Sequence, residues 1–141
     1  MPHARIDLNR SHQPRLKEYS RAILAGMVRG LEMPESDLFQ VFRLHDEDEL
    51  VYSPTFPTDR RDDIIFIEVL ASDVYNDEQK QAGMIAIIDE LEVLGVKRET
   101  VLCVIVEVHG AAWHDGGTPG SAWDNSISHG GTTGTCVTAQ T

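Results

Sequence analysis

The organisation of this chain follows from its amino-terminal segment, Met1-Pro2-His3-Ala4-Arg5-Ile6-Asp7-Leu8-Asn9. Apolar and charged residues alternate along it, which is typical of a β-strand that buries one face. A proline directly follows the initiator methionine. If Met1 is removed, Pro2 carries a free secondary amine, and an α-amino group titrates at about 7.7–8.0. Because a general base works best near the operating pH, Pro2 is a candidate catalytic base.

The composition is typical of a soluble globular protein of one domain. The chain has 141 residues, of which 41% are hydrophobic and 25% charged, and a formal net charge of −11 disfavours nucleic acid as a partner. No apolar run approaches the roughly 20 residues of a membrane span, and we expect no secretory leader. Cys103 and Cys136 lack metal-type spacing, and so do the histidines. We therefore expect a cytoplasmic protein without metal or cofactor, with a buried free thiol at Cys103.

The first strand leads into an amphipathic helix and a second strand. Residues 11–14 are typical of a helix start, because proline in the first turn loses no hydrogen bond. Apolar residues then recur at three- and four-residue spacing over about five turns, and Met33-Pro34 ends the helix. Residues 35–37 predict a turn, and residues 38–44 a strand. This order of elements predicts a βαβ unit with parallel strands.

The same pattern recurs further along the chain. An acidic run at residues 45–49 predicts a solvated loop, and residues 50–52 predict a small edge strand. Residues 63–71 form a nearly continuous apolar run, which predicts a buried strand. A second helix is then expected from Asn76, ending near Gly95, before a fourth strand at residues 101–108.

Two consecutive βαβ units predict an α+β fold, a four-stranded mixed sheet with two helices on one face. The other face would be bare and apolar, and would bury itself against another subunit. This domain spans residues 1–114. Residues 115–141 are rich in Gly, Thr and Ser and predict a flexible tail, for which Trp123, Ile127 and Val137 are candidate anchors on a neighbour.

Several short runs combine with Pro2 and the tandem repeat. They are residues 2–8, 33–41, 45–50, 62–67 and 77–81, together with Trp113. On these residues the chain resembles the tautomerase superfamily, which uses an amino-terminal proline as catalytic base or acid. Within it, the chain is most similar to the malonate semialdehyde decarboxylase-like group. The resemblance covers residues 2–114 and does not extend to the tail.

The resemblance implies a homotrimer whose sheets line a central core, with Pro2 in a pocket near the subunit boundaries. It also implies that Asp37 assists Pro2 or a water molecule, although an aspartate here also suits a turn before a strand. The decarboxylase holds a substrate carboxylate with two arginines, and the matching positions in this chain are Asp73 and Tyr75. An aspartate would repel a carboxylate. Efficient malonate semialdehyde decarboxylation is therefore not expected.

A second family arginine is also missing. 4-Oxalocrotonate tautomerase has an arginine on its second strand, where this chain has Phe39. Arg10 matches the arginine in that enzyme's first strand-to-helix loop and is the expected ligand of a substrate carboxylate, with Arg5 and Arg43 as substitutes. Phe39 and Trp113 would exclude water from the site, unless both serve only in core packing.

These residues support three hypotheses. The leading one is an amino-terminal-proline tautomerase of a small enol or 2-oxo acid, in which Pro2 moves the proton, Arg10 holds the carboxylate, and Asp37 and Tyr75 supply polar contacts. In the second, protonated Pro2 and a water molecule activated by Asp37 carry out hydration, dehalogenation or weak decarboxylation of a three-carbon acid. In the third, the trimer is a binding protein without catalysis, which the absent arginine pair and the tail favour.

Overall fold

The computed structural model describes residues 2–57 and 62–120. Cys136 and the three candidate anchors Trp123, Ile127 and Val137 lie outside the described residues.

The sheet has four strands, which are β1 (His3–Asn9), β2 (Gln40–His45), β3 (Ile65–Ser72) and β4 (Val101–Val108). Their order across the sheet is β2-β1-β3-β4. β1 pairs with β2 and β3 with β4 in parallel, whereas the central pair β1 and β3 is antiparallel. Helix α1 (Leu16–Leu31) connects the first parallel pair and helix α2 (Asp77–Val93) the second. The predicted tandem βαβ fold is therefore confirmed.

Side-chain caps and one left-handed residue mark where the two helices begin and end. Residues 10–15 form a 3-10 helix whose start is capped by the Asn9 side chain, so the α-helix begins at Leu16 rather than at the predicted position. α1 stops at Glu32, which has a left-handed φ of 55°. α2 begins at a capping box between Asn76 and Gln79, in which each side chain accepts a hydrogen bond from the other's backbone N–H.

The two helices pack against each other at close range on one face of the sheet. A Cβ added at Gly30 would lie 2.4 Å from Gly83 Cα, so only glycine lets the backbones approach this closely. Beneath them, the core takes every second residue of the central strands, including Ile6, Leu8 and Ile67. The predicted alternation in β1 is confirmed.

No helix within residues 2–57 and 62–120 covers the opposite face of the sheet. On β4, the side chains of Leu102, Val104 and Val106 are 41%, 47% and 39% exposed. We call these three residues the β4 apolar stripe. The neighbouring strands carry charged pairs on this face, with Arg5 3.6 Å from Glu68 and Arg43 2.7 Å from Asp7. The predicted bare face is thus present in the single chain.

The edge strand predicted at residues 50–52 is wrong. These residues form no strand, because residues 47–49 close a 3-10 turn through a capping box between Asp46 and Glu49. Tyr52 is also occupied elsewhere, since its hydroxyl accepts a hydrogen bond from Asp63 N at 2.9 Å. The acidic run itself is exposed at residues 46–49, as predicted. Among the described residues, no helix is long and apolar enough to cross a membrane.

Candidate active site

Pro2 lies at the start of β1 and is less than 2% exposed. Two strands enclose it. Ala4 N donates to Phe39 O at 2.9 Å, which ties the start of β1 to the residue before β2. On the other side His3 is paired with Leu70, so one further step of this antiparallel register brings Pro2 beside Ala71 near the end of β3. Pro2 is therefore buried between β3 and the residue before β2, at one end of the sheet.

Asp37 lies close to the amino terminus. It follows a turn in which Asp37 N donates to Pro34 O at 3.0 Å, as the sequence predicted for residues 35–37. The residue is half-buried. Burial raises the pKa of its carboxyl group above the ordinary value, and the positive charge of the amino terminus opposes that rise in pKa. Since Ala4 N binds Phe39 O, the structure places the segment that contains Asp37 alongside the start of β1, at the same end of the sheet as Pro2.

Tyr75 and Ser72 bring two buried hydroxyl groups to this end of the sheet. Tyr75 is 6% exposed and Ser72, the last residue of β3, is 1% exposed. Neither hydroxyl has a hydrogen-bond partner among the described residues. Burial, followed by the negative charge of Asp37, raises the pKa of Tyr75 to about 12. Tyr75 is therefore close to Asp37 without being hydrogen-bonded to it.

Asp73 is paired with a histidine. Asp73 Oδ2 lies 3.0 Å from His109 Nδ1, which joins the loop after β3 to the end of β4. Asp73 and Tyr75 occupy the positions where the resemblance expected two arginines. Instead of two guanidinium groups, these positions carry the carboxylate of Asp73, which pairs with an imidazole, and the buried hydroxyl of Tyr75.

A cavity of about 480 Å³ opens beside this end of the sheet. Phe39 and Trp113 both line it, so the structure brings together the two aromatic residues expected at the site. Trp113 Nε1 donates to Val108 O at 3.2 Å, and Gly120 packs directly against the tryptophan. The other described lining residues are His3, Leu38, Gln40, Val41, His114 and Asp115, so the described lining contains neither Arg nor Lys, and neither Pro2 nor Asp37 belongs to it.

Arg10 does not lie with this group in the same chain. It follows the last residue of β1, and a strand of this length separates its ends by about 20 Å. Its guanidinium donates from Nε to Asp46 Oδ1 at 3.1 Å. Arg5 and Arg43 lie on the bare face of the sheet, in the ion pairs described above. Within one chain, Pro2 and Arg10 are thus at opposite ends of the sheet.

A second cavity, of about 200 Å³, lies at that opposite end. His12 Nδ1 lies 3.0 Å from the Tyr19 hydroxyl, and His12 Nε2 lies 2.8 Å from Asp63 Oδ2. Arg15 donates to Leu94 O at 2.9 Å and its guanidinium lies over the Tyr19 ring. These groups already bind one another, so the cluster joins α1 to the strands rather than presenting open ligand positions.

Sequence reasoning missed Ser72, His3 and His114. Ser72 ends an apolar strand, where a small polar residue carries no signal of its own. Nothing in the sequence places His3 near His114, and only the folded chain shows that the two histidines line one cavity with Phe39 and Trp113. Within the described ranges, no group of three or more His, Cys, Asp or Glu side chains is arranged to hold a metal ion. Cys103 is a free thiol, half-buried rather than fully buried, and burial raises its pKa to about 12.

Comparison with known proteins gives consistent results. The model of the family described as "Tautomerase enzyme" matches residues 37–114. The protein named "Probable tautomerase YusQ" from Bacillus subtilis (strain 168) is 30% identical over 103 residues, which cover 72% of this chain and 81% of that protein.

Two solved structures show the same fold. FG41 malonate semialdehyde decarboxylase inhibited by 3-bromopropiolate matches with a TM-score of 0.79 and 22% identity, over 90% of this chain and 98% of that chain. A symmetric trimer of wild-type fused 4-OT matches with a TM-score of 0.70 and 14% identity, over 84% of this chain and 96% of that chain. Since the family model matches more than half of the sequence and the Bacillus relative is matched over most of its length, this chain belongs to the tautomerase family of enzymes.

Proposed function

We propose that this chain, once Met1 is removed, is a tautomerase in which the amine of Pro2 is the general base and acid. The observation that carries the proposal is the position of Pro2, which is buried at one end of the sheet, where the bond from Ala4 N to Phe39 O brings the segment of half-buried Asp37 alongside. A buried amine beside a carboxylate is poised for proton transfer, because burial favours the neutral base whereas the carboxylate favours the protonated acid.

The reaction needs no group other than this amine to move the proton. Neutral Pro2 removes a proton from the enol hydroxyl, or from the carbon next to a carbonyl, and its nitrogen becomes positively charged. The protonated amine then returns a proton to the other end of the conjugated system. Asp37 stabilises the protonated amine between the two steps, and the wall formed by Phe39 and Trp113 keeps out water that would weaken this charge interaction.

The substrate class is a small enol or 2-oxo acid. None of the described residues that line the cavity at Phe39 and Trp113 is Arg or Lys, so a substrate carboxylate requires a cation from elsewhere. Arg10 lies at the far end of β1, and it reaches a Pro2 site only if that site belongs to a second copy. Such an arrangement fits a homotrimer in which the β4 apolar stripe is buried between copies, and the fused 4-OT structure with the same fold is a trimer.

A second candidate function uses the same residues. The raised pKa of Asp37 makes its carboxylate a better base for a water molecule than an ordinary aspartate. Protonated Pro2 and this water would hydrate, dehalogenate or slowly decarboxylate a three-carbon acid. Incubation with a panel of acetylenic and 2-oxo acids, followed by NMR, separates the two functions by their products. Neither function requires a cofactor, and we propose the cytoplasm as the location.

Covalent labelling tests the role of Pro2. The purified chain is incubated with 3-bromopropiolate, an electrophilic alkyne to which a free amine adds, and its amino-terminal peptide is weighed before and after. We expect peptides that begin at Pro2 to gain the mass of the adduct and activity to fall in parallel. A matched chain that keeps Met1, and whose Pro2 nitrogen is therefore an amide, should remain unlabelled at Pro2 and keep the activity it had before incubation. Labelling at another residue, with Pro2 unmodified and activity lost, would contradict the proposal.

A further inference from the structure

The tautomerase reaction places a negative charge on an oxygen atom. When Pro2 removes a proton from the carbon next to a carbonyl, the C–H bond breaks and its electron pair forms a C=C bond. The carbonyl electrons move to oxygen, which becomes an enolate. Enzymes stabilise such a charge with hydrogen-bond donors that are already in place. The two arginines that hold a substrate carboxylate in the decarboxylase are absent from the matching positions here, so those positions offer no guanidinium as a donor.

The described residues offer two donors without a partner at this end of the sheet. The hydroxyls of Ser72 and Tyr75 are both buried and both unpaired, at 1% and 6% exposure. A buried polar group without a hydrogen bond destabilises the folded state. Two such groups, one at the end of β3 and one three residues further along the chain, need an explanation, and a ligand oxygen is a partner that would satisfy both.

Their position relative to Pro2 is suitable. Pro2 adjoins Ala71, the neighbour of Ser72, through the antiparallel register of β1 and β3. Tyr75 follows three residues later and is close enough to Asp37 for the carboxylate to affect its titration. With a pKa of about 12, the tyrosine keeps its proton at neutral pH and can donate it in a hydrogen bond.

We propose that the hydroxyl groups of Ser72 and Tyr75 together bind the enolate oxygen of the substrate while Pro2 holds the transferred proton. This inference rests on the proposed function. It assigns the stabilisation of charge to two neutral hydroxyls instead of an arginine pair. The proton on Pro2 and the negative charge on the enolate balance each other, and both disappear when the amine returns the proton.

The first test separates this role from a structural one. Ser72→Ala and Tyr75→Phe each remove a hydroxyl and leave the rest of the side chain in place. We expect kcat for ketonisation of phenylenolpyruvate to fall at least tenfold in each variant, with a smaller change in KM, because the enolate forms only during the reaction. We also expect the melting temperature to stay the same or rise, since each variant removes an unpaired buried group. Tyr52→Phe, at the other end of the sheet, is the matched control and should keep its kcat.

The second test does not depend on activity. Substituted phenols serve as probes, because a bound phenolate resembles an enolate oxygen and its absorption differs from that of the neutral phenol. The wild-type chain should bind the phenolate form, and the double variant Ser72→Ala/Tyr75→Phe should bind it at least tenfold more weakly. The phenolate affinity can be measured even if a Pro2→Ala variant keeps full activity, so the failure of the proposed function can be distinguished from the failure of this inference. Unchanged kcat and phenolate affinity in the variants would overturn the inference, and so would a fall in kcat that accompanies a lower melting temperature.

Discussion

Pro2 and Arg10 lie beyond the two ends of strand β1 and are therefore more than about 20 Å apart, since the strand itself spans about that length. A substrate small enough for the cavity at Phe39 and Trp113 cannot touch both within one chain. If both residues act on the same molecule, they must come from different copies. The bare face of the sheet, with the β4 apolar stripe, is where such copies would meet.

A mixing experiment tests this arrangement. Pro2→Ala chains keep Arg10, and Arg10→Ala chains keep Pro2, so each variant alone lacks one half of every site. In trimers refolded from an equal mixture, about one quarter of the sites should combine an intact Pro2 with an intact Arg10. We expect the mixture to regain tautomerase activity that neither variant shows alone. If the mixture stays as inactive as its components, Arg10 does not complete the site of another copy.

Assembly itself can be tested on the bare face. Val104→Lys places a charge in the middle of the β4 apolar stripe, where burial against another copy would leave that charge without water. We expect the variant to become monomeric in analytical ultracentrifugation, whereas the wild type sediments as a trimer. Val93→Lys is the control, since Val93 is 82% exposed on helix α2. A Val104→Lys chain that sediments like the wild type would contradict an interface on this face.

Asp37 should affect both activity and stability in a pH-dependent way. Removing its negative charge lowers the pKa of the neighbouring Pro2 amine, so in Asp37→Asn the acid limb of the pH profile of kcat/KM should move to lower pH. Asp48→Asn, an exposed aspartate, should leave that limb in place. If the acid limb does not move in Asp37→Asn, the Asp37 carboxylate does not influence the pKa of the Pro2 amine.

The sign of the stability effect follows from the raised pKa of Asp37. Because the folded state binds this proton more tightly than the unfolded state, the Asp37 carboxyl contributes less stability as pH rises through its folded pKa. Asp37→Asn should therefore melt at the same or a higher temperature than the wild type at neutral pH. The difference should shrink as the pH falls through the folded pKa. A variant less stable at neutral pH would indicate that the ionised carboxylate supports the fold.

From the close packing of α1 against α2 at Gly30 we predict an effect on stability alone. Gly30→Ala places a methyl group 2.4 Å from Gly83 Cα, where only backbone lies in its way. The helices must move apart, and we expect a loss of about 1–3 kcal/mol in the free energy of unfolding. Gly117→Ala, whose added Cβ would meet Asp115 Oδ1 at 3.5 Å, should change it by less than about 0.5 kcal/mol. Urea denaturation of both variants measures the difference.

The fold was predictable because its signals are local and repeated. The alternation in β1, the apolar runs of β3 and β4, and the helix periodicity each predict one element, and β4 was predicted with its observed bounds. The failure at residues 50–52 is also local. A short apolar run suits a strand, but nothing in it shows that Asp46 and Glu49 close a turn just before it or that Tyr52 binds Asp63 N.

The site was only partly predictable. Pro2 was a candidate from its position after Met1, whereas a role for Asp37 came only from the resemblance to the tautomerase superfamily. Ser72 and His114 could not be singled out in either way, since their positions depend on which residues meet across the end of the sheet. Burial without a partner, the property that distinguishes the Ser72 and Tyr75 hydroxyls, exists only in three dimensions.

The most direct test of the account is the rate of the Pro2→Ala variant. Met1 removal is first confirmed by mass for both chains, and the ketonisation of phenylenolpyruvate is then followed at neutral pH. A positioned general base contributes about 10²–10⁴-fold, so kcat/KM should fall by about this factor while the melting temperature stays close to that of the wild type. A Pro2→Ala chain that works at the wild-type rate would contradict the assignment of Pro2 as the catalytic base.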